Sequence, residues 1–335
     1  MELEHWSDYY SMAWNYSFGT VGVVMNSILL FVIQKKTPEY MRTYSFVLQT
    51  GSCWDLVTAF SGIIASARYF ATGKSAVLMF HGLGKYFPFE RETNSRICFT
   101  FFTIEVHGFL FSIFIIIFCL YYRKRAVTRS YDPISKISVQ IFCITSTICM
   151  FIYTVLMSYL HLIPISTINA LLEEARPELI NSTWNYFAIM DLSAFPDFLT
   201  EGFALSQSTI VMIYLFYCRH KILKTLKTLH LSPATMELQK SLMKILLIQT
   251  FIPAFHILFT IPYTIVTFTN TTQTAFFENS VETTVLVLAA VTPIITIWFI
   301  KPYRFVLAKL FGPDIITPIL VVSQNSLYVD DSAQI

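Results

Sequence analysis

The chain has 335 residues, of which 55% are hydrophobic and 13% charged, and its mean hydropathy is +0.58. Soluble domains carry about 25% charged residues, so a water-soluble globule is excluded and a protein that shows its apolar faces to lipid is expected. The net charge of +2 says little as a total; its distribution says more.

The start, Met1-Glu2-Leu3-Glu4-His5, is acidic and lacks the positive n-region of a signal peptide. The first apolar stretch is therefore expected to be retained and to act as its own insertion signal. Seven stretches follow in order, each near the roughly twenty residues that cross a bilayer core: Trp14–Gln34, Tyr44–Ser66, Ile97–Tyr121, Ile137–Tyr159, Phe198–Tyr217, Met243–Val266 and Val285–Ile300. An odd number of spans sets the termini on opposite sides. With the N-terminus outside, all of the 23 basic residues fall inside except Arg68, Lys74, Lys85, Arg91, Arg96 and Arg176, which is the positive-inside asymmetry. The sequons at Asn15, Asn181 and Asn270 all land on the outer side, marking them as glycosylation candidates, although Asn15 crowds the first span. The reading is an all-α membrane protein: a seven-transmembrane helix bundle, N-out and C-in, over residues 1–311, with a cytoplasmic tail over 312–335.

Polar residues inside the spans are expensive and so informative. Asn26 and Asp55 lie at similar depth in the first and second spans, Asp55 about 16 Å along its helix. They suit a structural polar clasp, or a hydrated ion or proton site that titrates during activation. Glu105 and His107 in the third span project to nearly opposite faces. Glu105 is the better ligand-contact candidate, against the alternative of a buried acid or ion pair between helices. His107 and His256 read as packing residues. In the sixth span Pro253 takes the helical partner from the Gln249 carbonyl, and Pro262 does the same to Leu258, so this helix is a hinge candidate; Pro293 sits near the middle of the seventh.

On the inner side, Tyr121-Tyr122-Arg123-Lys124-Arg125 follows the third span, and Arg219–Leu231 interleaves Lys221, Lys224 and Lys227 with apolar residues. That surface fits anionic lipid or a docking protein. A short interfacial helix is expected over about 302–311. Catalytic patterns are missing: there is no GxSxG, HExxH or Walker A sequence, and Gly82-Leu83-Gly84 fails the dinucleotide pattern at Phe87. No enzyme activity, cofactor, metal or nucleic-acid partner is expected. The six cysteines, Cys53, Cys98, Cys119, Cys143, Cys149 and Cys218, show no paired spacing, and Cys98 alone lies near the outer surface, so no disulfide is expected.

Several blocks carry a family resemblance. They are Met25-Asn26-Ser27-Ile28-Leu29-Leu30, Thr37-Pro38-Glu39-Tyr40-Met41-Arg42-Thr43-Tyr44-Ser45 with Asp55, and Tyr122-Arg123. Further on come Leu238-Gln239-Lys240-Ser241-Leu242 through Gln249 and Pro253, then Glu282 with Pro293-Ile294-Ile295-Thr296 through Phe299 to Pro302-Tyr303-Arg304. On these the chain resembles the nematode serpentine receptor class delta chemoreceptors, within the Str superfamily of G-protein-coupled-receptor-like proteins. The resemblance implies a plasma-membrane receptor of sensory cilia that binds an odorant or pheromone and signals to a heterotrimeric G protein. Glu105 and Glu282 are its ligand-binding candidates, and Tyr122 and Arg123 face the G protein. One departure stands out. The family has an outer-loop cysteine in a Gly-x-Cys-basic-Tyr-Phe frame, bridged to one opening helix three; Gly82-Leu83-Gly84-Lys85-Tyr86-Phe87 puts Gly84 there and leaves Cys98 alone. A seven-helix transporter or ligand-gated channel is the alternative, though no paired internal repeat is visible, and a divergent non-functional receptor is another.

Overall fold

The computed structural model describes residues 6–37, 39–72, 75–128, 134–160, 164–175, 177, 185–191, 210–211, 213–225, 233–268 and 275–305. In chain order these form α1 (Trp6–Lys36), α2 (Arg42–Ala65), β1 (Ala67–Thr72), β2 (Ser75–Phe80), α3 (Arg91–Thr128), α4 (Lys136–Leu160), α5 (Ile165–Ala175) and β3 (Asn185–Asp191). After them come α6 (residues 213–225), α7 (Pro233–Phe268), α8 (Ala275–Thr283) and α9 (Val285–Phe299). Among the described residues five helices are long and apolar enough to cross a membrane: Asp8–Lys35, Arg91–Val127, Lys136–Leu156, Gln239–Tyr263 and Glu278–Phe299. The molecule is a multi-pass membrane helical bundle. α2 fills the second expected span but is not among those five, because Gln49, Ser52, Asp55, Thr58 and Ser61 dilute its apolar content. Most of the fifth expected span, residues 306–311 of the interfacial helix and the 312–335 tail lie outside the described residues; residues 301–305 are helical.

Exposure follows a lipid logic. α4 turns Ile137, Ile141, Ile144, Ile148, Phe151 and Val155 outward, and α7 does so with Phe251, Phe255, Leu258 and Ile265. Such a contiguous apolar surface is stable only against hydrocarbon. Inside, α2 lies between α1 and α3, and α9 packs on α1, α2 and α7. Lipid tails are as apolar as leucine, so close backbone approach has to drive this association. Gly108 of α3 provides one such approach: a Cβ there would fall 1.9 Å from Thr58 Oγ1 on α2. The core runs through Leu29, Val47, Ile113, Leu120, Leu246, Leu288 and Tyr303, and the Tyr303 hydroxyl meets Thr37 Oγ1 at 2.9 Å, tying the residues after α9 to the end of α1.

The expectation of a purely α-helical protein is corrected at one end of the bundle. There β1, β2 and β3 form a three-stranded antiparallel sheet in that order, with Ala67 opposite Phe80 and Phe80 opposite Asn185. α2 stops because Ser66 adopts a left-handed conformation (φ 40°) and donates its N–H to the Gly62 carbonyl. The chain then turns into β1, and Leu78 and Phe80 bury against Cys98, Phe99 and Phe102 of α3. The helices also overrun the apolar windows: α1 begins at Trp6, α3 at Arg91 and α7 at Pro233. Helical hydrogen bonds continue past the hydrocarbon boundary where polar residues can meet water.

Candidate functional site

At the sheet end, Arg68 of β1 is almost wholly buried between two carboxylates. Its Nη1 donates to both oxygens of Asp8 at 2.8 and 2.9 Å, while Nε and Nη2 donate to Glu278 Oε2 at 2.9 and 2.5 Å. Asn279 Nδ2 adds a bond to Asp8 Oδ1 at 3.0 Å, and the Arg68 guanidinium stacks on Phe70. α1, β1 and α8 are thereby joined by charge-assisted bonds in a dry place. Burial pushes the nearby His81 imidazole down to about 3; Asp8 opposes that shift, and Arg68 and Lys85 reinforce it. This network had no sequence signal, since its three charges come from distant parts of the chain. Nearby, Asn15 is fully buried and donates Nδ2 to Ser66 Oγ at 3.0 Å. That nitrogen has no room for a glycan, which corrects Asn15 as a glycosylation candidate; Asn181 and Asn270 lie outside the described residues.

Deeper in the same half, Glu105 of α3 and Glu282 of α8 come together, each fully buried and each facing the other. Apart from each other, the two carboxyls have no hydrogen-bond partner among the described residues. Gly62 of α2 makes space for them: a Cβ there would lie 2.6 Å from Glu105 Oε1 and from Leu286. His107, two residues on, points away and meets Thr154 Oγ1 of α4 at 2.9 Å. His256 bridges α7 to the α8–α9 junction, with Nδ1 at 2.5 Å from Thr284 Oγ1 and Nε2 at 3.0 Å from Thr260 Oγ1.

At mid-depth, Asn26 and Asp55 do not clasp each other. Asn26 Nδ2 donates to the carbonyls of Gly22 and Ala289 at 2.8 and 2.9 Å. Asp55 instead accepts a hydrogen bond from Ser112 Oγ on α3. The two residues sit on faces turned to different neighbours, α9 for Asn26 and α3 for Asp55. Asp55, Ser52, Ser112, Gln249 and Thr296 line a cavity of about 30 Å³, room for about two water molecules.

At the opposite, basic end Arg123 of α3 is buried. Its guanidinium stacks 3.9 Å from the Tyr44 ring of α2, and Nη1 donates to Gln239 Oε1 of α7 at 3.3 Å. Tyr122, half-buried, stacks on the same Tyr44. α7 stays helical through Pro253 and Pro262, and α9 through Pro293. All six cysteines carry free thiols. A Cβ added at Gly84 would lie 2.6 Å from Cys98 Sγ, so position 84 lies directly over Cys98. Among the described residues no three His, Cys, Asp or Glu side chains converge as a metal site.

Comparison with known proteins shows the family. The family model described as "Serpentine type 7TM GPCR chemoreceptor Srd" matches residues 11–309. Serpentine receptor class delta-1 of Caenorhabditis elegans is 24% identical over 293 residues, 84% of this chain and 76% of that protein. Serpentine receptor class delta-3 of the same organism is 25% identical over 329 residues, 93% and 90% of the two chains. Serpentine receptor class delta-51 is 24% identical over 298 residues, 87% and 84% respectively. The chain belongs to the Srd family of serpentine chemoreceptors, which are receptors rather than enzymes.

Proposed function

We propose that this chemoreceptor spans the plasma membrane seven times with its sheet end outside, binds an environmental small molecule in that half, and signals from its basic end to a heterotrimeric G protein. The charge asymmetry of the sequence supports the orientation, and the family supports a location in sensory cilia. The observation that carries the reading is the run of polar contacts along α7. Its His256 meets Thr284 beside the Glu105–Glu282 pair, its Gln249 lines the Asp55 cavity, and its Gln239 holds Arg123. Seven and then ten residues separate these levels, about 10 and 15 Å along one helix. A shift of α7 at the ligand level is thus felt where Arg123 is held, with Pro253 between the two as the hinge. Binding that favours the displaced helix releases Arg123 and Tyr122 to the G protein.

Calcium imaging of cells expressing the receptor, against an odorant panel with and without G-protein blockade, tests this reading. A response abolished by the blockade is expected, and a response that survives it favours the transporter or channel alternative. Pro253→Ala is expected to change potency or basal signal at unchanged surface expression, and an unaltered dose–response curve removes the hinge. A C-terminal tag that stains on intact cells reverses the orientation.

A further inference from the structure

The Glu105–Glu282 pair presents a charge-balance problem that the rest of the bundle leaves open. Both carboxyls are wholly buried and bonded to each other, and beyond that mutual contact none of their oxygens is hydrogen-bonded to a described residue. The buried arginine of that half, Arg68, is committed to Asp8 and Glu278, and His256 is held by Thr284 and Thr260. Two like charges held together away from water repel strongly, so the pair has to take up one positive charge, as a proton or as a cation.

The surroundings distinguish between those two. Phe102 and Phe109 stand three residues before and four after Glu105, on the same face of α3, and both are buried. Phe102 meets Tyr69 edge-on at 5.7 Å, Tyr69 meets Tyr263 at 5.6 Å, and Phe109 packs on His256 at 5.0 Å. A carboxylate pair between aromatic layers combines the two groups that attract an ammonium ion, opposite charge and ring faces. Resting on the reading that this half receives the chemical, we infer that Glu105 and Glu282 recognise a cationic ligand, an organic ammonium ion whose charge replaces the shared proton. On the α2 side, Gly62 packs close to the Glu105 carboxyl and Leu286. Seating the ion between the two carboxyls is expected to part α3 from α8, which turns occupancy into helix displacement.

The test uses full-length receptor in nanodiscs, with thermal stability read against n-butylammonium chloride, 1-butanol, and sodium chloride at matched ionic strength. Butylammonium is expected to raise the midpoint in a saturable way while butanol and sodium do not, and E105Q/E282Q is expected to abolish the rise. An equal rise with butanol or with sodium overturns the inference, as does a rise that persists in the double variant or no rise at all. Should that variant not fold, Glu105→Asp keeps the charge and shortens its reach. It is expected to weaken butylammonium at least tenfold, and an unchanged affinity overturns the inference. A receptor that binds butylammonium through the pair yet never signals overturns the signalling reading alone. One that signals to neutral odorants, with E105Q/E282Q intact in that response, overturns this inference alone.

Discussion

The two ends of the bundle are closed by different means. At the sheet end, Arg68 makes four contacts of 2.5–2.9 Å with two buried carboxylates, three strands pair across the opening, and Leu78 and Phe80 wedge the sheet onto α3. At the basic end, Arg123 has a stacked tyrosine and a bond of 3.3 Å to Gln239, while its Nε and Nη2 make no hydrogen bond to any described residue. A groove of about 380 Å³, lined by Gln34, Glu39, Arg42 and Lys136, opens between α1, α2 and α4 there. Short charge-assisted bonds in a dry setting are costly to break, whereas a long bond to a neutral amide is worth about 1 kcal/mol. The contrast suits a receptor held rigid at one end and free to move at the other.

The largest expected effect comes from breaking the fixed end. Arg68→Met leaves Asp8 and Glu278 buried without their cation, a loss of about 3–5 kcal/mol, measurable as a collapse of the thermal midpoint in detergent. A loss below about 1 kcal/mol would mean that water reaches the cluster, and the two ends would then be alike.

Strengthening that end comes next. Gly84→Cys sets a second sulfur over Cys98, and a bridge closing a loop of this size is worth about 3 kcal/mol. The crowding of the new Cβ against the Ile64 carbonyl at 3.0 Å subtracts from this. We expect a midpoint gain that vanishes with reductant, and the loss of one titratable Cys98 thiol; two free thiols after air oxidation would show that the loop does not hold this geometry.

Acid sharpens the contrast further. His81 is held near 3 by burial when folded but titrates near 6.5 when unfolded, so between those values the unfolded chain binds more protons. Stability at the sheet end should fall as pH drops through that window, by up to about 1.4 kcal/mol per pH unit. His81→Gln is expected to flatten the slope between pH 7 and 5, and an unchanged slope would assign it to other groups.

The smallest stability effect belongs to the mobile end. Arg123→Met is expected to cost under about 1 kcal/mol while raising basal signalling, since it frees α7 from α3. A large loss of stability with silent basal activity would make Arg123 a structural anchor like Arg68.

Hydropathy and charge along the sequence determined the membrane class and most helix positions, because a twenty-residue apolar run needs only itself to satisfy its backbone in lipid. Polar residues placed at depth marked Asn26, Asp55 and Glu105 as worth explaining, and the family resemblance added Glu282, but neither named their partners. The hairpin is legible in the sequence: Gly73-Lys74 between two runs of apolar and β-forming residues is a two-residue turn signal. Tertiary structure alone decided the pairings. Arg68 and Glu278 are 210 residues apart and Asn26 and Ala289 are 263 apart, and no local pattern encodes which helix faces meet. Only the packed bundle turns Asp55 to Ser112 instead of Asn26, sets Glu105 against Glu282, and folds Arg123 inward onto Tyr44, because each depends on the rotation of whole helices about one another.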